Sequence, residues 1–253
     1  MQASTRAERA GKPGEWFVRL GKNLNRHIDK VIARQSLIGT TPLLDTAAFP
    51  WAKHLEENWT TIREEAEHLL RDRESIPLLR DLSSDHKRIA DTRWKSFFLW
   101  GYGYRVDQNC SQCPRTAALV SKIPGLNTAL FSILEPGAKI AKHNGVTKHL
   151  VTYHLALITP VDVQNCLMRV DRHIVHWESG RCFMFDDTYR HQVWNNTPET
   201  RVILLVQVKR PSRFFAHVLG EFFLFCVRRS RFVQEARRNI SAWQKAQELT
   251  ERA

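Results

Sequence analysis

A mainly β fold with helices at both ends of the chain is what this sequence predicts, on three observations. Between residues 129 and 208, eight short runs rich in β-branched and aromatic residues follow one another at close spacing. Turn signals separate them: Pro136–Gly137, Asn144–Gly145, Thr159–Pro160, Ser179–Gly180 and Asn195–Pro198. Outside that stretch the apolar residues recur at three- and four-residue steps, the period of a helix. Many short strands mean a sandwich or a barrel. Of these we expect a jelly roll (a double-stranded β-helix), because its two sheets converge on one mouth where histidines from different strands can meet. A chain of 253 residues can bury one full core, so one domain with extensions is expected.

Taken in order, residues 1–40 read as a basic N-terminal arm, loosely ordered or laid on the surface as an amphipathic helix, with the apolar W-F-V-R-L at Trp16–Leu20. Thr40–Leu44 ends it. Residues 41–211 are the jelly-roll domain with a helical lead-in. From Pro50 onward Trp51, Leu55, Trp59, Ile62, Ala66, Leu69 and Leu70 share one face, with Glu56, Glu57, Glu64, Glu65 and Glu67 on the other. Ser75–Thr92 is charged and read as irregular. Arg93–Tyr104 reads as a strand with an aromatic tail, and Cys113-Pro114-Arg115-Thr116 opens a short helix with proline in its first turn. The β-rich runs are Ala129–Leu134, Lys139–His143, Leu150–Ile158, Asn165–Val170, His173–Trp177, Cys182–Phe185, Gln192–Trp194 and Val202–Val208. Lys209–Arg210–Pro211 closes the barrel. Residues 212–253 read as basic amphipathic helices. There Phe214, Phe215, Val218, Leu219, Phe222, Phe223 and Phe225 make a wide apolar surface, followed by the cationic Arg228–Arg238. Two readings of this end stand: a helical pair packed on the barrel, or an element lying at a membrane interface.

Composition narrows the function classes. With 43% hydrophobic and 10% aromatic residues, disorder of the whole chain is excluded. No apolar run approaches the roughly 18–20 residues of a membrane span, and the N-terminus has no apolar core of a signal peptide. A cytoplasmic protein is expected, peripheral on the inner face of the membrane. Five cysteines without a signal argue against a disulfide framework, and the single C-x-x-C at Cys110 and Cys113 reads as ordinary thiols. The net charge of +12 sits at the ends. Residues 1–34 carry 8 Lys and Arg against 3 acids, residues 209–253 carry 10 against 4, and the remainder holds 20 against 19. Such ends suit an anionic membrane surface. No specific nucleic-acid partner is expected, since no recognition motif accompanies the bulk charge.

The chemistry gathers around two histidines. His143 ends a strand beside Asn144 and Gly145, and His191 follows F-M-F-D-D, with Asp186 and Asp187 at a strand end. Arg201 opens the next strand. Two imidazoles with a nearby carboxylate suit Fe(II), which takes nitrogen and oxygen ligands. Arg201 can grip a carboxylate through two parallel hydrogen bonds. A three-histidine zinc or cupin-type site from His143, His154 and His191 fits the spacing as well.

Six pieces in fixed order carry a resemblance across the span from about Trp100 to Pro211. They are C-P-R-T at Cys113–Thr116, F-S-I-L-E-P-G at Phe131–Gly137, H-N-G at His143–Gly145, Y-H-L-A-L at Tyr153–Leu157, F-D-D-T-Y-R-H-Q-V-W-N at Phe185–Asn195 and R-V-I-L-L at Arg201–Leu205. Together they resemble the aspartyl/asparaginyl β-hydroxylase family of Fe(II)/2-oxoglutarate dioxygenases, which includes related bacterial lipid hydroxylases. The resemblance implies a hydroxylase using Fe(II), 2-oxoglutarate and O2. It implies that His143 and His191 bind the iron and that Ser132, His154 and Arg201 hold the 2-oxoglutarate carboxylates. Thr152 departs from members with a basic residue two places before the histidine at His154. Gly145 stands where most 2-oxoglutarate oxygenases place an aspartate ligand; the animal peptidyl hydroxylases of the family share this glycine. The lipid A hydroxylases tend to keep the aspartate, and halogenases leave the position vacant for chloride. Asp187 is read as steadying an iron-bound water or as capping its strand. Two substrates follow: an acyl chain of a membrane lipid, of the lipid A or ornithine-lipid kind, or Asp/Asn in a peptide or protein. A non-catalytic jelly-roll binding protein with a vestigial metal site is the third reading, which the intact residue set opposes.

Overall fold

The structure, a computed structural model, describes residues 25–82 and 93–251, with side chains as far as residue 246. The apolar stretch Trp16–Leu20 of the expected arm lies outside the described residues. Residues 25–34 form a helix (α1) whose Ile32 is fully buried. Its Asp29 accepts the Lys148 amide at 2.7 Å, and Leu37 donates its amide to Pro211. The second half of the arm is therefore clamped to the segment that closes the barrel.

The lead-in is two helices rather than one, α2 (Pro50–Glu57) and α3 (Trp59–Leu70), interrupted at Asn58. Pro50 occupies the first turn of α2, where its missing N–H is no loss. The glutamates are not all surface groups. Glu65 is buried and takes the Arg115 and Thr116 amides at 2.9 and 2.7 Å. It thereby caps α6 (Pro114–Ser121), whose own N-cap residue, Cys113, offers no side-chain bond. Glu56 takes the Cys182 amide at 2.8 Å. Between these helices and α6 the chain forms a short helix α4 (Leu79–Leu82), a strand and turn ending in aromatics, and a helix α5 (Asp107–Gln112) not expected from the sequence. Cys110 and Cys113 are both buried free thiols, which burial makes harder to ionise.

Among the described residues eleven strands make two antiparallel sheets. The strands are β1 (Leu43–Leu44), β2 (Trp94–Gly101), β3 (Tyr104–Arg105), β4 (Leu126–Leu134), β5 (Lys139–His143), β6 (Leu150–Ile158), β7 (Cys166–Val170), β8 (His173–His176), β9 (Cys182–Phe185), β10 (His191–Asn195) and β11 (Arg201–Lys209). The large sheet runs β1-β9-β6-β11-β4-β2-β3 and the small one β5-β10-β7-β8. This is the expected mainly β jelly-roll architecture with helices at both ends. The short edge strand β1 was not expected; T-T-P-L-L, read as a break, pairs with β9. β10 begins one residue earlier than the sequence suggested, so His191 is its first residue, and Arg201 opens β11 as expected.

Side chains alternate across a strand, and this alternation sorts the core into two halves. Phe131 and Ile133 of β4, Tyr153, Leu155 and Leu157 of β6, and Val202, Leu204 and Val206 of β11 face the helices and join Leu55, Ile62 and Ala66 in one cluster. The neighbours of opposite parity face the small sheet, where Leu134, Ala156 and Ile203 pack with Ile140, Met168, Val170 and Val193. Each sheet thus has an apolar partner. The central strands of the large sheet are buried on both faces, and any polar residue of the second parity points into the space between the sheets.

The chain ends in α7 (Phe214–Arg229) and α8 (Arg231–Glu251). On α8, Trp243 donates to the Ser75 carbonyl at 2.8 Å and lies edge-on to Phe97 at 6.3 Å, so this helix is tied to the domain. Among the described residues no helix is long and apolar enough to cross a membrane.

Candidate active site

His143 and His191 end up directly opposite each other because β5 and β10 pair in that register. Their ring centroids are 4.1 Å apart. Each ring bonds through Nδ1 to the carbonyl two residues earlier, His143 to Ala141 at 2.8 Å and His191 to Tyr189 at 2.9 Å. A carbonyl only accepts, so both protons sit on Nδ1 and both Nε2 lone pairs are left for an electrophile. That is the tautomer a metal ligand needs. Burial lowers the pKa of His143, and burial together with the His143 ring pushes His191 down to about 4. Both rings are therefore neutral near pH 7.

Among the described residues no third metal-capable side chain converges on this pair. The three-histidine arrangement does not form, since His154 stands apart on the large sheet, behind Phe185. The Phe185 ring is edge-on to His191 at 5.4 Å and to His154 at 5.1 Å. A group of three lies elsewhere: His149, His217 and Glu221. There Glu221 already spans His149 at 3.1 Å and Lys209 at 2.8 Å.

Behind Phe185 the parity rule puts Ser132, His154 and Arg201 in the space between the sheets. All three are buried. Ser132 accepts the Trp94 indole N–H at 3.0 Å, which leaves its own proton to donate elsewhere. His154 has no partner for either ring nitrogen. Burial first, then the Arg201 charge, holds it well below the usual histidine range, so it is neutral. Arg201 lies over the Trp177 ring at 4.7 Å, and its Nε and Nη1 have no partner. Burial lowers its pKa to about 10, still high enough to keep it charged at pH 7. A buried guanidinium with unused donors costs several kcal/mol unless an anion meets it.

Asp187 lies against the turn that follows His143. Its Oδ2 accepts from Thr152 at 3.2 Å and Gln207 at 2.9 Å, while Oδ1 is buried without a partner. Burial and the adjacent Asp186 raise its pKa to about 7. The carboxylate lies on Gly145, whose amide donates to the Asp187 carbonyl at 2.6 Å. A side chain at position 145 would run into Oδ1, so glycine is needed there to make room for this carboxylate. The strand-end turn is made by Asp186 instead, which accepts the Thr188 amide and hydroxyl. Thr152, the departure noted in the sequence, thus touches Asp187 and not the arginine.

The structure brings together His143 with His191, His154 with Arg201 beside Trp177, and Asp187 with Gly145. Gln207, Trp177, Phe185 and Trp94 were missed by the sequence reading. For Gln207 a signal existed: it is the one uncharged polar residue in an otherwise apolar β11. Nothing local marks Trp177, which reaches the site only because β8 lies in the facing sheet.

A model of the family described as aspartyl/asparaginyl beta-hydroxylase matches residues 56–211. An ornithine lipid ester-linked acyl 2-hydroxylase of Rhizobium tropici is 41% identical over 213 residues, covering 82% of this chain and 74% of that protein. The aspartyl/asparaginyl beta-hydroxylase of Homo sapiens is 31% identical over 165 residues, 63% of this chain and 21% of that one. The chain thus spans about three quarters of the first relative and about a fifth of the second. Among solved structures, a prolyl-4-hydroxylase of Pseudomonas putida aligns with a TM-score of 0.40 and 17% identity over 61% of this chain and 88% of that one.

Proposed function

The chain belongs to the aspartyl/asparaginyl β-hydroxylase family, and on that premise we propose that it is an Fe(II)/2-oxoglutarate-dependent dioxygenase that hydroxylates an acyl chain of a membrane lipid. The observation that carries the cofactor part is Arg201, a fully buried cation with two donors unused. A dicarboxylate is the partner such a group lacks, and the unpartnered His154 beside it extends the same orphaned surface. The histidine pair, neutral and with both Nε2 atoms uncommitted, suits a divalent ion of borderline hardness such as Fe(II).

In this reading His143 and His191 hold the iron, and Ser132, His154 and Arg201 hold the 2-oxoglutarate carboxylates. When bound, iron with 2-oxoglutarate and O2 supplies the oxidising power to break an unactivated C–H bond. The protein's own work is different. Arg201 supplies positive charge and a forked donor geometry, and Ser132 adds a hydroxyl donor. Phe183, Phe185 and Trp177 wall the carboxylate end from water. The Nδ1 hydrogen bonds to Ala141 and Tyr189 fix both imidazoles before any ligand arrives, so no reorganisation is needed at the moment of reaction. Asp187, whose buried Oδ1 has no partner, would in this reading steady a water bound beside the histidine pair.

The lipid substrate is supported by 41% identity to the ornithine lipid acyl 2-hydroxylase across most of both chains, and by the basic ends of the sequence. The second reading, β-hydroxylation of Asp or Asn in a peptide, is supported by the glycine at 145 and by 31% identity to the human enzyme. A location on the inner face of the membrane accords with the first.

The test is an anaerobic titration of the protein with Fe(II) and 2-oxoglutarate, watching for the weak visible charge-transfer band of the chelate. The band is expected, and His191→Ala is expected to abolish it and lower turnover by about 1000-fold or more while leaving the circular dichroism unchanged. No band, with tight zinc binding instead, would replace the oxygenase reading by a zinc or non-catalytic binding protein. Product analysis on ornithine lipid and on Asp/Asn peptides then separates the two substrates.

A further inference from the structure

The two terminal helices differ in how they meet the domain. α8 is tied down by Trp243 and by Asn239, which donates to the Leu82 carbonyl at 3.1 Å. α7 touches the domain along a narrow stripe, Ala216, Gly220 and Leu224, at four-residue spacing. The small residues let the helix lie close: a side chain at Gly220 would strike the buried His149 ring. The opposite side of the same helix is apolar and bare. Phe214 is 83% exposed, Phe215 and Phe222 63%, and Val218 and Phe225 48%. At 100° per residue these five fall within about one third of the helix circumference. Phenylalanines on one exposed face are a large unpaid exposure for a folded domain, and a contiguous patch of this kind marks an interaction surface.

The charge around the patch says what covers it. Arg213 stands immediately before Phe214, and Arg229 lies on the same face with its guanidinium 3.6 Å from the Phe225 ring centre. Arg231 follows just beyond the C-terminal end, while Arg228 turns inward onto Gly103. The apolar stripe is therefore bracketed by cations at both ends. A second copy of this face would set arginine against arginine, and residues 1–24, with 5 Lys and Arg against 2 acids, carry like charge as well. An anionic, apolar partner is complementary on both counts. At 16 residues the helix is about 24 Å long, short of the ~30 Å hydrocarbon layer, and its other apolar face is packed on the domain, so it lies along a surface and does not span.

We propose that α7 is a docking helix that inserts Phe214, Phe215, Val218, Phe222 and Phe225 into an anionic lipid bilayer, with Arg213 and Arg229 on the headgroups. This deepens the lipid-acyl reading and rests on it for its purpose. The helix lies against His149, six residues along the chain from His143, which keeps its anchor within about 20 Å of the proposed iron ligand.

Cys226 is the exposed cysteine among the five and lies beside this face, so an environment-sensitive fluorophore can be attached there in the full-length protein. With vesicles of phosphatidylglycerol and phosphatidylcholine, and no iron or cosubstrate, we expect co-sedimentation, a blue shift of the label and its quenching by spin-labelled acyl chains. The combined variant Phe214→Ser, Phe215→Ser, Phe222→Ser, Phe225→Ser should bind at least about 10-fold more weakly. The replaced residues are exposed, and an unchanged circular dichroism spectrum checks the fold. Equal binding by the variant would overturn the proposal, as would equal binding to purely zwitterionic vesicles. Self-association of the wild type that the variant loses would also overturn it, in favour of a second copy. Because the assay omits cofactors, docking without lipid hydroxylation would sink the substrate reading alone, and hydroxylation of detergent-dispersed lipid without docking would sink this one alone.

Discussion

Two arginines bracket the same stretch of chain, Arg201 at the start of β11 and Arg210 just past its end, and both are fully buried. Arg210 uses every arm of its guanidinium: Nε on the Lys148 carbonyl at 2.7 Å, Nη1 on the Gly39 carbonyl at 2.8 Å, and Nη2 on the Asp186 carboxylate. Arg201 leaves Nε and Nη1 empty. The adjacent aspartates repeat the contrast, since Asp186 is met by Arg210, Lys148 and Thr188, whereas Asp187 has an idle Oδ1. Burial alone does not tell a structural charge from a functional one. What does is the account of its hydrogen bonds: a satisfied buried ion holds the fold together, and an orphaned one waits for a ligand. By the same account the His149–His217–Glu221 group is mixed: Glu221 is already shared by His149 and Lys209, whereas His149 Nδ1 is buried without a partner.

Three substitutions sharpen this contrast. Arg210→Met should have the largest effect on the fold, because it strands the buried Asp186 carboxylate; a loss of about 3–5 kcal/mol in urea unfolding is expected. Arg201→Met should do the reverse. The metal-free, cosubstrate-free protein should keep or slightly gain stability, because an unpaired buried charge is removed, while 2-oxoglutarate binding weakens by about 100-fold, roughly 2.7 kcal/mol. Thermal shift with and without 2-oxoglutarate reads both, and a strongly destabilised Arg201→Met protein would place this arginine with Arg210 as a structural ion.

Asp187→Asn should have the smallest effect, visible as a change of slope. In the folded protein this carboxyl keeps its proton to about pH 7, whereas unfolded it releases it near its ordinary value of 3.8. The folded state therefore binds more protons between those values, and the contribution to stability falls as pH rises through that window. Relative to the wild type, the metal-free variant should lose less stability between pH 5 and pH 8. Parallel pH profiles would mean that folding leaves the Asp187 carboxyl unshifted, as a partner for Oδ1 would do.

The strand pattern was readable because it is local. Lys139–His143, Leu150–Ile158 and Cys182–Phe185 match their strands residue for residue, since the turn residues beside them leave little choice of boundary. The misses lie where a distant group decides. Glu65 reads as one of five surface glutamates until α6 brings two orphaned amides to it. T-T-P-L-L reads as a break until β9 offers an edge. The helix from Pro50 reads as continuous, and Asn58 breaks it so that both halves can follow the sheet.

By itself, then, the sequence determined the alternation that builds two antiparallel sheets, the amphipathic terminal helices, and the set Ser132, His143, His154, Asp187, His191 and Arg201 as candidates. Periodicity and motif order are properties of neighbouring residues, and they survive in a one-dimensional string. Only the tertiary structure decided which of those groups are spoken for. The register of β5 against β10 set the two histidines opposite each other, the Gly145 backbone made room for Asp187, and the lack of hydrogen-bond partners for Nε and Nη1 separated Arg201 from Arg210. Hydrogen-bond satisfaction depends on what the other strands deliver to the same few ångströms, and no residue's own neighbours in sequence record it.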